Sequence, residues 1–297
     1  MDCAMDNELY GCIEAGGTKF VCAIATGPDD IRAQLRIPTT TPEETLGRAV
    51  QFFREQAPVE AFGIASFGPV DLDPVSPSWG RICKTPKPGW SGADIAGAFA
   101  EFGRPVGFDT DVNGAILGEA RWGAARGCDT AVYFTIGTGI GGGAIVGGAP
   151  IHGRGHPEMG HGRPPRHADD YFAGACPFHG DCYEGMASGP AILARWGQSL
   201  SELPQDHPAH EIEAFYIAHL CVSTVAMLAP QRIVLGGGVM GTPGLLDRVR
   251  VAAEAIGGGY FGEIAPLIVP TGLGERSGIA GALVLAEHAR HAIARAC

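Results

Sequence analysis

Apolar positions along the chain fall in short blocks separated by glycine- and proline-rich turns, and the blocks alternate between two periods. Tyr10–Ile13 and Phe20–Ala25 are apolar runs of strand length on either side of Glu14-Ala15-Gly16-Gly17-Thr18-Lys19, which predicts a hairpin pivoting on two glycines. The period then changes. Leu46, Val50 and Phe53 share one helical face in Pro42–Glu55, with Thr41 placed as N-cap and Glu44 three residues on. Ala61–Ser66 predicts a buried strand, 71–90 a long irregular loop, Ala93–Phe102 a helix, Val106–Asp109 a strand and Asp111–Trp122 a helix. The pattern restarts at Thr130–Ile136, a strand, followed by the glycine-rich turn Gly137–Gly143 and a returning strand, Ala144–Val146. Helices are predicted over Ser188–Ser199, Glu211–Ala229, Leu245–Ile256 and Ser277–Arg295, with strands over Arg232–Leu235 and Ile264–Pro270. Such alternation predicts an α/β architecture. The repeated strand–turn–strand unit suggests two related lobes, 1–118 and 119–297, with the helix at about 280–297 able to pack back on the first lobe.

Composition narrows this picture. With 45% hydrophobic and 18% charged residues in 297, the chain is an ordinary globular protein. A net charge of −11 argues against a nucleic-acid partner. No uninterrupted apolar stretch reaches the ~20 residues of a membrane span, so no membrane partner is expected. Met1–Tyr10 has acids and no long apolar run, so no signal peptide is predicted. Nine cysteines, an odd number, fit a reducing cytoplasm better than a disulfide framework.

The chemistry concentrates in two kinds of motif. The first is Cys176-Pro-Phe-His-Gly-Asp-Cys182, downstream of His156-Pro-Glu-Met-Gly-His161. His161, Cys176, His179 and Cys182 form a soft ligand set for one tetrahedral Zn²⁺, and a closed set of that kind is structural. A Cys176–Cys182 disulfide is the rival reading. The histidines do not form HExxH, and His156 is a weaker ligand candidate. Glu158 and Glu184 lie beside the set and suit a ligand with hydroxyl groups. The second kind is the glycine turn. Glu14–Lys19 and Thr135–Gly143 expose backbone N–H groups that can cradle phosphate, with Thr18, Lys19 and Thr138 as further donors and Gly236-Gly237-Gly238 as a third glycine cluster. No GxxxxGK[ST] is present. Gly137, Gly139 and Gly142 match GxGxxG, but the residues after them are strand-like, against a dinucleotide site. In Asp109-Thr110-Asp111-Val112-Asn113-Gly114, one aspartate suffices as an N-cap. The other is left as a carboxylate able to act as general base beside an amide.

Taken in order, Glu14–Lys19, Asp109–Gly114, Thr135–Gly143, Glu158–His161 and Cys176…Cys182 resemble the ROK sugar kinases over the whole chain, and their bacterial fructokinase branch in particular. The resemblance implies a two-lobed actin-like ATPase (ribonuclease H-like) fold, with a hexose and Mg²⁺·ATP bound between the lobes. It makes Asp111 the base for the sugar hydroxyl, and Asn113, Glu158, His161 and Glu184 the sugar-holding residues. Gly16, Gly17, Thr18 and Lys19 become the first phosphate loop, Gly137, Thr138 and Gly139 the second, and Gly236, Gly237 and Gly238 the adenosine end. His161, Cys176, His179 and Cys182 become the structural zinc set. D-Fructose is the implied hexose, with glucose, mannose or an N-acetylhexosamine as alternatives and a non-catalytic sugar sensor as the reading of another class. A homodimer is implied. The first phosphate loop begins at residue 14, which leaves no room for the DNA-binding module that some relatives carry. Two departures stand out: Glu14 replaces the commoner aspartate, and His179 replaces a cysteine, as in the fructokinase branch.

Overall fold

The computed structural model describes residues 8–296; the first seven residues of the acidic N-terminal stretch and Cys297 lie outside them. The chain divides into two compact units. One comprises residues up to Gly123, Pro150–His156 and Leu273 onward; the other comprises Ala124–Ala149 and Pro157–Gly272.

The first unit is built on a five-stranded sheet, β3-β2-β1-β4-β5. β1 (Tyr10–Ala15) and β2 (Lys19–Gly27) form the expected hairpin, and β3 (Asp30–Pro38) extends it at the edge. β4 (Ala61–Ser66) pairs parallel with both β1 and β5 (Val106–Thr110). Every residue of β4 is buried, which accounts for its continuous apolar reading. α1 (Pro42–Arg54) starts where Thr41 accepts the Glu44 N–H, with Pro42 in the first turn. α2 (Asp111–Trp122) follows β5 directly. Because α2 runs unbroken to Trp122, the first unit continues past 118 to Gly123.

The second unit repeats the plan. Its sheet runs β8-β7-β6-β9-β10. β6 (Ala131–Ile136) and β7 (Ile140–Val146) are an antiparallel hairpin, with β8 (Ala149–Pro150) at the edge. β9 (Arg232–Gly236) pairs parallel with β6 and with β10 (Ile268–Pro270). In each sheet, then, a hairpin around a glycine turn is flanked on its first strand by two parallel strands. α3 (Tyr183–Ala187), α4 (Gly189–Trp196), α5 (Ala209–Leu228) and α6 (Leu245–Gly257) complete this unit. α5 is long and apolar enough to cross a membrane by length and composition, yet 61% of its window is buried within the protein. Apolar character on all sides is what a central core helix requires.

The terminal helix α7 (Ser277–Ala296) belongs to the first unit. It approaches α2 and the sheet at backbone distance. A Cβ at Gly281 would lie 1.8 Å from Gly114 O, and one at Gly63 1.8 Å from Ala282 O. Only glycine permits that approach.

Three expected elements differ. The helix at 93–102 is a 3-10 turn, Gly97–Phe102, because Asp94 Oδ1 takes the Gly97 N–H at 2.8 Å. The turn expected over 137–143 spans only Gly137–Gly139, and Gly141–Gly143 lie within β7. The strand expected over 264–270 is a 3-10 turn, Ala265–Leu267, followed by the short β10.

Candidate active site

The first unit carries one glycine turn and the aspartate cluster. The turn between β1 and β2 closes by Gly16 N–H donating to Lys19 O, 3.0 Å. Thr39 clamps it from β3's end, its hydroxyl donating to Gly16 O at 2.7 Å and its N–H to Thr18 O at 2.9 Å. A Cβ on Gly16 would fall 2.7 Å from Lys19 O, whereas nothing lies within 4 Å of one on Gly17. Gly17, Thr18 and Lys19 are exposed, so their donors face solvent on a pinned backbone. Glu14 precedes the turn. Burial raises its pKa, opposed by Lys19 and Arg36. Gly278 of α7 makes room for this longer acid: a Cβ there would sit 2.5 Å from its carboxyl carbon.

Asp109, Thr110, Asp111 and Asn113 lie at the β5–α2 junction. The helix cap is neither aspartate. Thr110 Oγ1 accepts the Asn113 N–H at 3.1 Å, correcting the expected capping role of Asp109 or Asp111. Buried Asp109 is instead an organiser. Its Oδ1 accepts from Thr110 N (2.7 Å) and from Asn113 Nδ2 (2.8 Å), and its Oδ2 accepts from His152 Nε2 (2.9 Å). Asp111 Oδ1 accepts the neighbouring Val112 N–H at 2.9 Å, and its side chain is half-buried. His152 was not among the residues expected in the site. Its bond to Asp109 raises its pKa, against the opposing effect of burial.

The second unit carries the other turn, the triple glycine and the Cys/His set. Gly137 N–H donates to Gly139 O at 2.9 Å, and Gly189 N–H to Gly137 O at 2.7 Å, leaving Thr138 exposed. Gly236 ends β9 beside this turn, and Gly237 and Gly238 follow it. Gly237 has φ +90°, and a Cβ there would meet Ile136 O at 2.4 Å. The second turn and the triple glycine thus sit together at the ends of neighbouring strands. Because β7 rather than a helix follows Gly139, the dinucleotide reading of GxGxxG fails.

His161, Cys176, His179 and Cys182 converge, with their ligand atoms all within 4.8 Å of one another. His161 Nδ1 is 3.6 Å from Cys182 Sγ and 3.9 Å from Cys176 Sγ; His179 Nδ1 is 3.7 Å from Cys176 Sγ. A tetrahedral ion with bonds of about 2.0–2.3 Å has donor–donor edges of about 3.3–3.8 Å, so the closer pairs have the spacing of one tetrahedral metal site and the widest separation would need to contract. Both cysteines are free thiols, which removes the disulfide alternative. Local backbone bonds shape the loop: Cys176 and Gly180 exchange N–H···O bonds of 3.2 and 2.9 Å around Gly180 at φ +64°. His156 is outside the set; its Nε2 accepts from Val70 N at 3.1 Å.

The two acids beside the set differ. Glu158 is exposed, its carbonyl accepting the His161 N–H at 3.0 Å. Glu184, two residues after Cys182 on α3, accepts the Ile140 N–H through Oε2 at 3.0 Å. It therefore joins the Cys/His loop to the second glycine turn. A buried anchor under the loop was also missed from sequence. Arg195 of α4 bonds Glu213 (2.9 Å), Asp170 (3.2 Å) and the Met186 carbonyl (2.9 Å), while the Tyr216 hydroxyl donates to Asp170 at 2.5 Å.

The sequence profile of the ROK family matches residues 10–289. The chain is 52% identical to a fructokinase of Zymomonas mobilis, covering 95% of this chain and 97% of that one. It is 45% identical to a putative fructokinase of Bacillus subtilis, covering 96% and 97%. A ROK family glucokinase of Streptomyces griseus, solved with glucose and AMPPNP, superposes with a TM-score of 0.73 at 27% identity, covering 94% of this chain and 99% of that one. The actin-like α/β fold anticipated from the motifs is therefore present, and the chain belongs to the ROK family.

Proposed function

We propose that this chain is a cytoplasmic ATP-dependent sugar kinase that phosphorylates D-fructose to fructose 6-phosphate. The observation that carries the hexose assignment is the 52% identity to a fructokinase over nearly the full length of both chains. The glucose and AMPPNP bound to the Streptomyces relative support a hexose and an adenine nucleotide as the ligands here.

Asp111 is the base. Thr110 caps α2, so the Asp111 carboxylate is not needed for that task, and Asn113, two residues on, is locked by Asp109. Asp111 takes the proton of the sugar's primary hydroxyl as the oxygen attacks the γ-phosphate. Asn113, Glu158, His161 and Glu184 hold the sugar. Gly16–Lys19 and Gly137–Gly139 receive the phosphates, with Gly17, Thr18, Lys19 and Thr138 as their exposed members, and Gly236, Gly237 and Gly238 form the adenosine end, where only Gly238 has open space beside it. Mg²⁺ bound with ATP supplies charge neutralisation, with Glu14 as the carboxylate beside the first turn. His161, Cys176, His179 and Cys182 would hold a Zn²⁺ that fixes the loop presenting Glu158 and Glu184. His161, whose Nδ1 faces both thiols, would bind it through that nitrogen and keep Nε2 for the sugar. The assembly we propose is a homodimer.

Asp111→Asn tests the base. Sugar binding, read by equilibrium titration, is expected to persist while kcat falls at least ~10²-fold. An unchanged kcat refutes the assignment.

A further inference from the structure

Asp109 orders Asn113, but its other partner, His152, has no role in the proposed reaction. Asp109 is 3% exposed, and its carboxylate holds two side chains: Asn113 through Nδ2 at 2.8 Å and His152 through Nε2 at 2.9 Å. A carboxylate opposite Nε2 fixes the proton there, since the other tautomer would set a lone pair against the anion. Nε2 is then a donor, and so is Asn113 Nδ2, so their 3.4 Å separation is a packing contact that sets amide and imidazole side by side. The opposite ring nitrogen, Nδ1, makes no hydrogen bond among the described residues, and the His152 side chain is 42% exposed. An imidazole clamped at one nitrogen by a buried carboxylate, with the other directed away, is oriented for work at that second nitrogen.

A purely structural clasp is the competing reading. His152 lies in Pro150–His156, a segment that belongs to the first unit while its flanks belong to the second. That segment already has an anchor in His156, which accepts the Val70 N–H at 3.1 Å. A second clasp would gain nothing from a half-exposed ring whose remaining nitrogen has no partner among the described residues.

We propose that His152 is part of the hexose site, its Nδ1 hydrogen-bonding a sugar hydroxyl while Asp109 aligns it with Asn113. Either protonation state of the ring serves, because a hydroxyl both donates and accepts. The inference rests on the kinase reading and adds a specificity residue to it.

The test uses the full chain, with KM for D-fructose, KM for ATP, kcat and Tm measured for wild type, His152→Ala and His152→Gln. His152→Ala is expected to raise the fructose KM about tenfold, the scale of one lost hydrogen bond to substrate, with the ATP KM within about twofold. Glutamine can place its amide nitrogen where Nε2 stands but nothing where Nδ1 stands. His152→Gln should therefore keep the wild-type Tm and still show the raised fructose KM. Full recovery of the fructose KM by glutamine, or an unchanged fructose KM in the alanine variant, would overturn the inference while leaving the kinase reading intact. A wild type that phosphorylates no hexose would overturn both.

Discussion

Glu184 offers a perturbation whose size follows from geometry. Its Oε2 accepts the N–H of Ile140, a residue only 3% exposed, at 3.0 Å. Gly139 lies so close that a Cβ there would sit 2.6 Å from the same oxygen. A hydrogen bond to a charged group is worth about 1.5–3 kcal/mol, and every 1.4 kcal/mol is about tenfold in affinity or rate. Glu184→Ala removes an acid assigned to the sugar and leaves the Ile140 N–H without its acceptor. Initial-rate kinetics with ATP and fructose varied in turn should therefore show both KM values raised, the ATP value about tenfold or more. Glu184→Gln keeps the length and an acceptor oxygen, and should hold the ATP KM within about threefold of wild type. Gly139→Ala leaves the acid in place but drives it from Ile140, and should reproduce the ATP effect of Glu184→Ala. A Glu184→Ala enzyme with only its fructose KM raised, together with a silent Gly139→Ala, would refute the idea that this contact shapes the phosphate turn.

The Cys/His set and the Asp109–His152 pair give two further expectations. Elemental analysis should find about one zinc per chain, as a closed tetrahedral site requires, and Cys176→Ser should lose the metal together with thermal stability and fructose affinity; a metal-free, fully active wild type contradicts the site. The raised pKa of His152, due first to its bond with Asp109, means the folded state binds the proton more tightly than the unfolded chain. The pair's contribution is thus complete below the ordinary histidine value and lost as pH rises through the raised one. The Tm difference between wild type and His152→Ala should shrink as pH rises across that window; a difference that grows refutes the linkage.

What could be read from sequence was local. The β1–β2 hairpin, the Thr41 cap of α1 and the Cys176, His179 and Cys182 members of the metal set are each written within a few residues, where spacing and turn chemistry suffice. Contacts between distant segments were not legible. Asp109 meets His152 across 43 residues and Glu184 meets Ile140 across 44, and neither pairing has a local signature. The cap is hidden for a related reason: aspartate caps at least as well as threonine, but Asp109 is engaged by Asn113 and His152, and Thr110 stands at the capping position. β3 does carry a signal, since Ile31, Ala33, Leu35 and Ile37 alternate with polar residues, the pattern of an edge strand with one wet face.

The measurement closest to the central claim is ADP release with D-fructose, glucose, mannose and N-acetylhexosamines offered singly with Mg²⁺·ATP. D-Fructose should give the highest kcat/KM, with fructose 6-phosphate as product. Sugar binding without ADP release, or a clear preference for another hexose, would contradict it.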